Sequence, residues 1–190
     1  SQGSPIGGAG EGMQLGSSLA PLGDIDDDGV PDIAVGAWGA EAAKGNVFLV
    51  RLRSDGSVKS STRIWSQTGT GGSFGASGLG PSLLDSALFG SSLTVLGDAD
   101  KDGAPDLLVG ASSDDPSSLG RGALFLLYLN QGGNGVKSYA KLSHDGGLAG
   151  ASISTKGLGS SVACLSDFDG DGVGDIAAGS IGGIHVLLMA

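Results

Sequence analysis

Three stretches of this chain repeat one another: LGSSLAPLGDIDDDGVPDIAVGA at Leu15–Ala37, FGSSLTVLGDADKDGAPDLLVGA at Phe89–Ala111 and LGSSVACLSDFDGDGVGDIAAGS at Leu158–Ser180. Each copy reads as a small-residue strand, an acidic loop and a second apolar strand. Recurrence at a spacing of about 70 residues restricts the chain to architectures that stack like supersecondary units. It also means that any chemistry carried by the loop is present three times.

The loop follows the pattern D-x-D-x-D-G-x-x-D, which suits a hard divalent cation. Its carboxylates are Asp24, Asp26, Asp28 and Asp32 in the first copy, Asp98, Asp100, Asp102 and Asp106 in the second, and Asp167, Asp169, Asp171 and Asp175 in the third. Calcium takes about six to eight oxygens, and alternate residues of a curled loop turn their carboxylates to one centre. The glycine after the third aspartate (Gly29, Gly103, Gly172) permits the sharp turn. Two residues after that aspartate, the carbonyls of Val30, Ala104 and Val173 are expected to add an oxygen, and the ninth-position aspartate to close the site.

An EF-hand would end on a glutamate at position twelve. Here that position holds Val35, Val109 and Ala178, and the residues around it are strand-like. An all-oxygen donor set without His or Cys argues against zinc, copper and iron, and magnesium demands a stricter octahedron. Three calcium sites are therefore expected. Solvated Asp-Gly turns without an ion are the alternative, but clustering carboxylates three times over would be strongly self-repelling.

The net charge of −10 arises largely in these loops, whose twelve candidate ligand aspartates are most of the 20 acidic residues. Without a basic patch to meet phosphates, neither nucleic acid nor an anionic membrane is an expected partner. No apolar run reaches the roughly 18 residues of a membrane-spanning helix, and no signal peptide opens the chain. Weak loop sites fill where calcium is abundant, so the expected location is extracellular, secreted or at a cell surface. The lone Cys164 falls at an apolar strand position and is expected to be an inert core residue.

Four strands fit each full repeat. The first strands are expected at 17–22, 91–96 and 160–165, the second at 32–37, 106–111 and 175–180, and the third at 46–53, 123–130 and 183–190. Asp55-Gly56 and Asn134-Gly135 signal hairpins into fourth strands at 58–65 and 136–143. No helical period persists, so the fold class is all-β. Arg51 and Arg53 alternate with Val50 and Leu52, which reads as a polar face of an outer strand.

At this point the pattern F/L-G-S-S-L/V, then LGDxDxDGxPDxxVGA, then an apolar strand, resembles the FG-GAP repeat of integrin α-chains and related extracellular propeller proteins. The resemblance implies four-stranded blades of a β-propeller with calcium held between the first two strands of each. The twelve aspartates occupy the family's acidic positions. Leu15 and Leu158 replace the aromatic, Gly174 replaces proline, and Gly179-Ser180 replaces Gly-Ala, none of which removes a ligand. The expected organisation is one all-β repeat domain over 1–190, with repeats at about 15–65, 89–143 and 158–190.

Three blades with the fourth strand of the last one missing do not make an ordinary closed ring. The architecture is therefore expected to be either part of a longer propeller or completed between molecules, with Ser1–Gln14 a candidate added strand. His144 and His185 sit beside no nucleophile motif, so no enzyme is expected. The functional expectation is a calcium-binding adhesion or assembly module whose partner is another protein or a second copy. Alternatives are a filament subunit and a carbohydrate-binding propeller, the latter through Trp38 stacking on a glycan. Trp65 is expected to cover a sheet face, and the glycine- and serine-rich segment 66–88 is a long connection of the sort that often carries function.

Overall fold

The computed structural model describes residues 6, 12–65, 83–115, 119–144 and 156–189. Eleven strands lie among them, in three antiparallel sheets. The first sheet runs β1 (Leu15–Gly23), β2 (Asp32–Ala37), β3 (Asn46–Leu52), β4 (Val58–Trp65) in chain order. The second repeats this with β5 (Phe89–Gly97), β6 (Asp106–Ala111), β7 (Ala123–Leu129) and β8 (Val136–Ser143). The third holds β9 (Ser161–Cys164), β10 (Ile176–Ser180) and β11 (Gly183–Leu187). The fold is all-β, with blade-like meanders of the propeller kind, as the resemblance implied.

Alternation along the strands decides what each blade buries. Ala34, Val47, Leu49 and Ile64 of the first sheet meet Leu107, Val109, Phe125 and Leu127 of the second. The opposite face of the second sheet, with Leu108, Leu124 and Leu126, meets Ile176 and Ala178 of the third. β7 (ALFLLYL) is apolar on both faces because both are covered, and each such side chain contributes about 1.5–3 kcal/mol. In β11 the same alternation leaves Ile184 and Val186 exposed.

The small residues of the repeat explain how blades approach. Ser18 donates to the Gly90 carbonyl at 2.7 Å, and Ser92 to the Gly159 carbonyl at 2.8 Å, so the G-S-S segment of one blade bonds to the next. A Cβ on Gly36 would lie 2.2 Å from the Gly90 oxygen, and one on Gly110 would lie 2.0 Å from the Gly159 oxygen. The glycine of the V-G-A stretch is thus needed for clearance. Backbone bonds complete the seam: Phe89 N to Lys44 O at 2.9 Å and Leu158 N to Arg121 O at 2.7 Å.

Three expectations need correction. Arg51 is only 7% exposed and does not belong to a polar outer face. It shares a face with Val47 and Leu49, which looks at the second sheet, and its Nη2 donates to the Gly132 carbonyl at 2.6 Å. Its fork is satisfied there by backbone and by Ser60 and Thr62, which is what makes a buried guanidinium tolerable. The third strands end earlier than expected because the amides of Leu52, Leu129 and Met189 donate to aspartate side chains instead of to a neighbouring strand. Cys164 is half-buried rather than a full core residue, packing at the margin of the second core.

Trp65 is half-buried with the Arg63 guanidinium 5.1 Å above its ring, and Trp38 is half-buried after β2. A short turn, α1 (Ala40–Ala43), follows β2; Glu41 and Ala42 take positive φ, so it does not propagate. Residues 66–82 of the long connection, and all of Ser1–Gln14 except Ile6 and 12–14, lie outside the described residues.

The seam makes a sharp prediction. Gly110→Ala should lower stability by about 2–4 kcal/mol in denaturant unfolding, because the clash is with backbone that cannot rotate away. Gly56→Ala, in a hairpin where a Cβ meets nothing within 4 Å, should cost only about 1 kcal/mol, from its positive φ. Equal costs would mean that the blades do not pack through these glycines.

Candidate metal centres

Each acidic loop connects the first two strands of its blade, and two of its aspartates fold it. Asp24 accepts from Asp28 N at 3.0 Å and Gly29 N at 2.7 Å; Asp98 accepts from Asp102 N and Gly103 N, both at 2.8 Å. In the third loop Asp167 accepts from Gly170 N at 2.6 Å and Gly172 N at 3.0 Å. The first aspartate therefore pulls the turn closed, and the following glycines take the positive φ that the turn needs (83°, 92° and 91° at Gly29, Gly103 and Gly172).

The ninth-position aspartate locks the loop to its sheet. Asp32, Asp106 and Asp175 are fully buried. Asp106 accepts from Ala99 N at 2.8 Å with one oxygen and from Leu129 N at 3.1 Å with the other. Asp32 does the same between Ile25 and Leu52, and Asp175 between Phe168 and Met189. Surroundings differ, however. Burial pushes Asp106, in the middle blade, above the usual carboxylate range, whereas the Met189 amide holds Asp175 of the end blade below it.

The third-position aspartates have other partners. Asp100 receives the Lys137 ammonium at 2.6 Å, and Asp26 receives Lys59 at 2.9 Å. The Arg51 Nε stands 3.9 Å from Asp26, whose Oδ1 is buried and has no hydrogen-bond partner. A buried carboxylate oxygen in that state is available to a cation.

Carboxylate oxygens of Asp24, Asp26 and Asp32 lie within 4.8 Å of one another, as do those of Asp98, Asp100 and Asp106, and of Asp167, Asp169 and Asp175. Two oxygens on one calcium ion stand at most about 5 Å apart, since each bond is about 2.3–2.6 Å. The donor set, spacing and orphaned oxygen all fit a hard divalent ion. Position five stands apart from these groups: Asp28, Asp102 and Asp171 each accept the amide two residues on, at 2.9, 2.9 and 2.8 Å. That bond engages the amides of Val30, Ala104 and Val173, the residues whose carbonyls are expected from the sequence to be donors.

Lys59 and Lys137, which the sequence reading passed over, also reach into the acidic loops. Lys59 reaches Asp28 as well, at 2.5 Å, and Lys137 reaches Asp102 at 2.7 Å. The lysine bonds come first among the causes that hold Asp28 and Asp102 below the ordinary carboxylate range, and both lysines are correspondingly raised. The signal was present as a shared Val-Lys at the start of the fourth strands, 58–59 and 136–137.

These loops, in register on stacked antiparallel blades, define a propeller-type repeat protein with three candidate cation sites. Comparison with known proteins agrees. Integrin alpha-7 of Homo sapiens is 32% identical over 179 residues, 93% of this chain and 13% of the relative. Integrin alpha-V of Gallus gallus is 40% identical over 109 residues, 57% of this chain and 10% of the relative. Integrin alpha-5 of Xenopus laevis is 36% identical over 110 residues, 57% of this chain and 9% of the relative. No family model matches. The chain is similar to integrin α chains, consistent with repeats of the FG-GAP kind, and it spans about a tenth of the length of these relatives.

The division of labour within a loop is testable in chelator. Asp106→Ala strands the amides of Ala99, Asp100 and Leu129 and should cost about 2–4 kcal/mol on unfolding even without metal. Asp100→Ala removes only a partly exposed lysine contact and should cost less than about 1 kcal/mol.

Proposed function

We propose that the chain is an extracellular, non-catalytic adhesion or assembly module in which calcium fixes the loops of neighbouring blades for contact with another protein. The observation that carries this reading is the threefold recurrence of a carboxylate triplet on a loop bolted to its sheet by a buried aspartate. The likeness to integrin α chains supports adhesion and an extracellular setting. In this reading the ligands are the twelve loop aspartates with the carbonyls of Val30, Ala104 and Val173, and the three repeats act as one domain. Position five would enter the coordination sphere when the ion binds. The ion neutralises clustered carboxylates and stiffens the connection between the first two strands.

Calorimetric titration of the metal-free chain should find three calcium sites, and chelation should lower the melting temperature. Asp100→Ala should remove one site and leave the other two nearly unchanged. Absence of binding, or loss at all three sites together, would overturn the reading.

A second reading, self-assembly, is favoured by one feature. Among the described residues β11 has no strand on its outer side, and Ile184 within it is 78% exposed. An open edge with an apolar face invites strand addition. Sedimentation with calcium would then give large assemblies, and a strictly monomeric chain would exclude them.

A further inference from the structure

The fourth strand of each complete blade brings a cation to the acidic loop. Lys59 is the second residue of β4 and Lys137 the second residue of β8. Each spans the same two carboxylates, at positions three and five: Asp26 and Asp28 at 2.9 and 2.5 Å, Asp100 and Asp102 at 2.6 and 2.7 Å. The coincidence in two blades marks a feature of the repeat. One ammonium thereby engages a member of the metal triplet and the carboxylate just outside it. Among the described residues, no ion pair is formed by Asp167, Asp169 or Asp171 of the third loop.

We propose that Lys59 and Lys137 are built-in competitors for the metal, occupying the charge-neutralising role in the first two loops when the ion is absent and lowering their affinity for it. The argument rests on the calcium reading above and follows from charge. A carboxylate cluster is self-repelling, and an ammonium donating to two of its members relieves that repulsion in the metal-free loop. A divalent ion at the same carboxylates repels the ammonium and takes over its acceptors, so the lysine stabilises the empty loop more than the filled one. By linkage, whatever favours the empty state weakens binding.

Position five fits this picture. One oxygen of Asp28 or Asp102 holds the backbone amide two residues on, and the other holds the lysine, so both oxygens are engaged until the ammonium yields. Asp171 has the same backbone bond without a lysine ion pair among the described residues, which makes the third loop an internal reference.

The test is a calcium titration of the full chain, followed by NMR at the amides of Gly29, Gly103 and Gly172, one reporter in each loop. Lys59→Met keeps the aliphatic stem and should tighten the first site by roughly threefold to tenfold, as befits partly exposed ion pairs, leaving the second and third unchanged. Lys137→Met should do the same at the second site alone, and the gain should shrink in high salt. Lys59→Arg keeps the charge and should leave affinity close to that of the original chain. In chelator, Lys59→Met should also lower the melting temperature, a loss that saturating calcium restores. Unchanged or weaker calcium binding by both methionine variants would overturn the proposal. Failure of the unsubstituted chain to bind calcium would instead overturn the calcium reading itself.

Discussion

Everything at the metal end depends on one buried group, the ninth-position aspartate. A carboxylate with no exposed surface is costly unless both oxygens are fully engaged. Asp32, Asp106 and Asp175 meet that condition by accepting one amide from their own loop and one from the end of the third strand or, for Asp175, from Met189 just past it. The loop and the sheet are therefore joined through a side chain where the backbone ladder runs out. In the proposed reading a divalent cation held nearby would offset the desolvation that pushes Asp106 upward, so ion binding and blade order would reinforce each other.

Stacking imposes the second constraint. Blades built mainly of strands need no long-range covalent link if their inner strands approach closely, and the repeat supplies glycine where the approach is tightest and serine where a hydroxyl spans the gap. Phe89 then meets Phe125 edge to face at 5.5 Å behind that seam. At the other side of the same interface, Arg51 bonds to the turn between β7 and β8, while Gln131 of that turn donates to the Asp102 carbonyl at 2.7 Å. The first and second acidic loops accordingly line one cavity with this turn between them.

Much of this was legible in the sequence, and the reasons are specific. The bounds of β2, β4, β6 and β8 coincide with their expected segments because aspartate, Asp-Gly or Asn-Gly turns and strand alternation all mark them locally. The expected aspartates fall where the loop pattern puts them, but their unequal roles do not follow from spacing: which carboxylate bonds an amide and which faces an ion is decided by the strand-three amides some 20 residues away. Arg51 misled for a related reason. Alternation places it opposite Val50, yet only the neighbouring sheet determines that Arg51's face is the covered one. Lys59 and Lys137 were hidden because their partners lie 31–37 residues away in the chain.

Topology also separates stiffening from recognition. In an antiparallel meander the connection from first to second strand and the connection from second to third leave the sheet at opposite ends. The acidic loops use the first kind of connection, while α1, Lys44 and residues 112–115 and 119–122 belong to the second kind. At that far end Ala43, Asp85, Ser113, Asp115 and Gly120 line a second cavity, with Lys44 paired to Asp85 at 3.0 Å. A cation bound in the loops is thus too remote to bridge directly to anything seated there. In the proposed reading its effect would pass through the buried aspartates into the strands, which connect the two ends. In that reading calcium would work by holding the blades in shape, and contact with a partner would be left to the surfaces that the blades present.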